Sequence, residues 1–108
     1  MIDIKDLRID NHTASVANLT ELRDYIWFDR THTPLTRLTI AKVLFTQEKT
    51  NLIVEVLTSQ NCRINELYLD SCRARSDRMA QIFAALLHNK SIVNLKMRNM
   101  FIPLASLD

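Results

Sequence analysis

The chain has 108 residues, 47% of them hydrophobic and 24% charged, with a formal net charge of +2, the balance of one ordinary globular domain. That balance excludes a disordered tail, a collagen-like chain and a disulfide mini-protein, and so small a charge does not argue for nucleic acid by itself. Glycine is absent altogether, which removes glycine-rich phosphate loops, dinucleotide fingerprints and glycine nucleophile elbows together.

The opening residues, MIDIKDLRID, carry charge throughout and no apolar signal core, so no secretory targeting is expected. Ile4-x-x-Leu7-x-Ile9 ends in strict alternation, the mark of a short strand with one buried face. Leu19, Leu22 and Ile26, with Tyr25 beside them, form a loose helical stripe. Trp27 and Phe28 carry more aromatic area than one stripe can bury. They are expected either to shield the open N-terminal end of the core or to meet a neighbouring domain or chain. Thr31–Pro34 reads as a turn, with His32 in it, because Pro34 disfavours helix at Thr33.

Leu35-x-x-Leu38-x-Ile40 repeats the strand signature. Thr46 is placed to cap a second helix whose stripe is Leu52, Ile53, Val56 and Leu57. Ile64-x-x-Leu67-x-Leu69 gives a third strand, and Met79, Ile82, Phe83, Leu86 and Leu87 a third helix. Ser76 or Asp77 is expected to cap that helix and Asn89 to end it in the left-handed conformation. His88, in its last turn, complements the helix dipole when protonated. Ile92-x-x-Leu95-x-Met97 closes the series. The starts at Ile4, Leu35, Ile64 and Ile92 lie 31, 29 and 28 residues apart, a period that marks a repeat architecture. The longest apolar stretches, Leu52–Val54 and Ile82–Leu87, fall far short of the roughly 18–20 residues of a membrane span.

A strand, a loop and a helix at this period resemble the ribonuclease-inhibitor-like class of leucine-rich repeats, whose motif is L-x-x-L-x-L-x-x-N/C-x-L. Cys72 matches the N/C position, whereas His12, Val43 and Met100 depart from it. The segment from Ala85 to Ile92 also looks like that family's passage from helix end to next strand. The resemblance spans residues 4–108 and implies an α/β fold, a short right-handed solenoid of about four strand–helix repeats with a curved parallel sheet. The repeats would run over 4–34, 35–63, 64–91 and an incomplete 92–108 of a single domain. We expect this unit to belong to a longer array or to be capped by a partner.

Register then sorts the polar strand positions into columns. One column is Asp6, Arg37, Glu66, Asn94; the next is Arg8, Thr39, Tyr68, Lys96; the third is Asp10, Ala41, Asp70, Arg98. Their charges either pair across strands on a solvated face or build a binding surface centred on Tyr68, since Tyr and Arg are favoured interface anchors. Cys62 and Cys72 flank one strand, about 30 Å apart if extended, which forbids a disulfide. His12 and Cys72 share a column but stand two strands apart, so neither a zinc site nor a Cys–His nucleophile is expected. Two free thiols fit a reducing, cytoplasmic or otherwise intracellular compartment.

The expected function is a non-catalytic protein-interaction module or scaffold with no cofactor, no metal and no membrane partner. Its partner, another protein, would lie across the concave sheet on Arg37, Glu66, Tyr68, Lys96 and Arg98. The alternative is nucleic-acid binding through Arg37, Lys96 and Arg98 with Arg73, Arg75 and Arg78, against which acidic residues interleave with the basic ones. No dyad, metal set or phosphate loop speaks for an enzyme. The unpaired edge of the last strand, followed by Met100, Phe101, Ile102, Leu104 and Leu107, predicts self-association through the C-terminal end.

Overall fold

The computed structural model describes residues 5–28 and 35–100. Strands and helices alternate: β1 (Asp6–Ile9), α1 (Val16–Phe28), β2 (Arg37–Ala41), α2 (Gln47–Thr58), β3 (Glu66–Asp70), α3 (Ser76–His88) and β4 (Asn94–Arg98). The strands form one four-stranded sheet in the order β1-β2-β3-β4, and every neighbouring pair is parallel. Parallel neighbours require a crossover, and each helix supplies one. α1 packs on α2 and α2 on α3, so the molecule is an α/β fold of two layers with the core between them. Thr31–Pro34, Ile4 and Phe101–Leu107 lie outside the described residues.

The register is the one the apolar triplets predict. Leu7, Leu38, Leu67 and Leu95 stand in one row and Ile9, Ile40, Leu69 and Met97 in the next. Leu38, Ile40, Leu67 and Leu69 are at most 1% exposed, and they meet Leu19, Ile26, Ile53, Leu57, Met79 and Ile82 in a continuous core. A third buried row runs through the strand-to-helix loops. It comprises Ala14, Phe45 and Ala74, of which Phe45 fills the middle and its small neighbours leave room for the ring.

Each of the last three strands is followed by a residue with positive φ: Lys42 (58°), Ser71 (56°) and Asn99 (52°). Glycine would take this conformation without steric cost, but the chain has none. At Lys42 and Ser71 the turn is held by the ladder instead, Lys42 N–H donating to Asp70 O and Ser71 N–H to Arg98 O, both at 2.8 Å. The first strand leaves differently. Asp10 accepts from the N–H groups of His12 (2.9 Å) and Thr13 (3.2 Å) and so forms an Asx-type turn.

Thr46 caps α2 as expected, its hydroxyl accepting from Lys49 N–H. The expected caps of α3 need correction. Arg75 occupies the N-cap and makes no side-chain cap bond, because its carbonyl already receives the N–H groups of Arg78 and Met79 and puts Ser76 inside the helix. Asn89 does not take the left-handed conformation either; it is extended (φ −77°, ψ 137°). The α3 stripe is narrower than its spacing implies. Met79, Ile82 and Ala85 are buried, but Phe83 is 40% and Leu87 86% exposed, because α3 has a helix neighbour on one side only among the described residues.

Candidate functional site

On the sheet the residues between the apolar rows face away from the core, since side chains alternate along a strand. The structure brings together four of the five residues expected to bind a partner. Arg37 lies between two acids, its NH1 donating to Asp6 Oδ2 at 3.2 Å and its Nε donating to Glu66 Oε2. Tyr68 donates its hydroxyl to the same Glu66 oxygen at 3.3 Å. The guanidinium of Arg37 lies 5.7 Å and the Lys96 ammonium 5.2 Å from the centre of the Tyr68 ring. Both cations are therefore within cation–π reach of one aromatic ring.

Electrostatics follow this geometry. The hydrogen bond from Arg37 holds the Glu66 carboxyl below its ordinary value, and Glu66 in turn raises Arg37. Arg37, with its side chain 45% exposed, gains little stability from such a pair. What the cluster gains is geometry: Arg37 and Lys96 are both set against the ring of one half-buried tyrosine.

Arg98, the fifth residue, stands beside Asp70 in the register but makes no ion pair among the described residues. Its column is also interrupted, because Ala41 is only 1% exposed and presents no surface. The surface is thus a compact cluster on β2–β4 rather than three full columns. Of the basic residues of the nucleic-acid alternative, Arg78 donates to Phe45 O (3.1 Å) and Arg75 pairs with Asp77 (3.5 Å). These bonds tie them to the fold at the start of α3, away from the strand positions of Lys96 and Arg98.

Both cysteines are free and buried. Cys72 donates its thiol to Ile40 O (3.3 Å) and Asp70 O (3.6 Å) and bridges two strands; burial pushes the thiol up from its ordinary value. The Cys62 sulfur accepts from Asn89 and Ser91. Among the described residues no three His, Cys, Asp or Glu converge on a metal-sized site, and no helix is long and apolar enough to cross a membrane.

Trp27 does not shield the N-terminal end of the core. Its indole N–H donates to Glu55 O at 2.9 Å and fastens α1 to α2, beside an ion pair between Arg23 and Glu55 (2.7 Å). Phe28 stays 72% exposed.

Asn61 escaped the sequence reading, and Asn89 entered it only as a helix stop, not as a tie between helices. Asn61 donates to Trp27 O (2.9 Å) and Asn89 to Leu57 O (2.8 Å). Each thus donates to a carbonyl in the last turn of a neighbouring helix, α1 for Asn61 and α2 for Asn89, where helix carbonyls lack an intrahelical partner. Their shared spacing of 28 residues was the available signal, masked because Asn reads as an ordinary loop residue. No protein-family model matches this chain, and none of the curated proteins compared with it is recognisably similar to it.

Proposed function

We propose that the chain is a non-catalytic protein-interaction module, built as a short right-handed solenoid of leucine-rich repeats, that binds another protein across its open sheet face. The parallel order of the strands, their helical crossovers and the recurring apolar rows support the solenoid; such crossovers are nearly always right-handed. The observation that carries the function is Tyr68, half-buried, with Arg37 and Lys96 set against its ring. A tyrosine pre-ordered by neighbouring charges loses little entropy on binding and has the amphipathic character of an interface anchor. Glu66 and Asp6 beside Arg37 break any continuous basic stripe, which favours a protein over nucleic acid.

The test is capture from lysate on the immobilised chain, wild type against Tyr68→Ala, with bound proteins quantified by mass spectrometry and the affinity of a captured partner then measured. Tyr68→Ala is expected to weaken that partner by about 1–2 kcal/mol or more. Equal affinity for both forms overturns the assignment of the sheet face.

A further inference from the structure

The α3–β4 end of the molecule exposes apolar side chains that the fold buries elsewhere. Leu95 is 42% and Met97 38% exposed, whereas Leu67 and Leu69 in the same rows are at most 1% exposed. Phe83 and Leu87 of α3 extend the uncovered surface. At the opposite end, between β1 and α1, lies a groove of about 430 Å³ lined by Leu7, Ile9, Leu22 and Tyr25 among others, room enough for an aromatic ring such as that of Phe83.

The backbone is in phase at the two ends. Asn94 N–H donates to Asn65 O, and Ser71 N–H to Arg98 O. Alternation along a strand therefore turns the peptide groups of Asn94, Lys96 and Arg98 toward β3 and those of Leu95 and Met97 outward. On β1, Lys5 O accepts from Thr36 and Arg37 N–H. That turns Lys5, Leu7 and Ile9 toward β2 and leaves Asp6 and Arg8 facing outward. Within the sheet the bond from Glu66 N–H to Thr36 O and that from Lys42 N–H to Asp70 O show the same phase. There β2 turns Leu38 and Ile40 toward Glu66, Tyr68 and Asp70.

We propose that the edge of β4, unpaired among the described residues, pairs in parallel with the likewise unpaired edge of β1 on a second copy of this chain, extending the sheet from molecule to molecule. Leu95 then lies beside Leu7 of the second copy and Met97 beside Ile9, which restores the two apolar rows across the joint. Arg98 comes opposite Asp10 and Asn94 opposite Asp6, so two of the three polar positions of β4 meet a carboxylate. The ladder ends there, because Asp10 N–H is already held by the Thr13 hydroxyl at 2.9 Å. The single flaw is Lys96 opposite Arg8. An isologous β4–β4 pair would run antiparallel and would crowd Lys96 and Arg98 of both copies together. The head-to-tail joint avoids this and, being heterologous, leaves each added copy with a further edge to extend.

Sedimentation velocity of the 108-residue chain at low salt, from micromolar to hundreds of micromolar, tests the joint. The average mass is expected to climb with concentration beyond the dimer mass. Met97→Lys, checked for folding by circular dichroism, is expected to return the chain to monomer. Arg8→Glu turns the one repulsive contact into an attractive one and is expected to tighten association about threefold or more. Arg8 lies outside any β4–β4 contact, so an isologous dimer would ignore that substitution. A monomer at every concentration, a plateau at the dimer mass, or association unmoved by Arg8→Glu overturns the proposal.

Discussion

Replacing Asn89 by alanine removes the densest polar node between helix and strand layers. Its amide donates to Leu57 O at 2.8 Å, and its carbonyl oxygen accepts from the N–H groups of Ser91 (2.8 Å) and Ile92 (2.7 Å). Three well-made bonds at about 0.5–1.5 kcal/mol net each bracket the loss at about 1.5–4.5 kcal/mol. Asn89 is half-buried, so water reaches part of the orphaned groups and the expected cost is about 2–3 kcal/mol. For a domain of this size that corresponds to a fall in Tm of about 10–20 °C. Asn61→Ala is the internal control. Asn61 is exposed, and it makes a single bond to the preceding helix, so it should cost about 1 kcal/mol. Urea unfolding followed by circular dichroism measures both, with an unchanged m-value showing that the native surface is preserved. If Asn89→Ala unfolds at the wild-type midpoint, or Asn61→Ala costs as much, the assignment of Asn89 as the stronger helix-end tie is wrong.

Lys42→Gly should stabilise the chain. It relieves a left-handed side chain at about 1–2 kcal/mol against about 0.4–1 kcal/mol of added unfolded-state entropy, and a lowered Tm would show that the Lys42 side chain contributes something its exposed position does not reveal. Acid sensitivity follows from Asp10 and Glu66, whose carboxyls lie below their ordinary values because of the His12 N–H and the Arg37 guanidinium respectively. A lowered folded value means full stability above the ordinary values and progressive loss as pH falls through the folded ones. The Tm should therefore hold steady above the ordinary 4.5 of glutamate and fall below it, less steeply in Asp10→Asn, and an equal acid response in that variant would remove Asp10 from the account.

The strands and their register were legible in the sequence, because a strand with one buried face needs only local alternation, and four copies of one triplet can align in parallel only row by row. The stripes of α2, the cap at Thr46 and the cluster of Arg37, Glu66 and Tyr68 follow from the same local rules and from that register. Other features depend on neighbours about thirty positions away, which no local pattern encodes. Trp27 turns toward α2 because Glu55 O waits 28 residues on, and Asn89 becomes extended because its amide reaches Leu57 O, 32 residues back. Phe83 and Leu87 have the spacing of core residues, but burial requires a second surface, and among the described residues α3 meets a helix on a single side. Nor could the absence of glycine disclose that Lys42, Ser71 and Asn99 take positive φ. Ladder bonds to the next strand hold Lys42 and Ser71 there, and such bonds exist only once the strands have assembled.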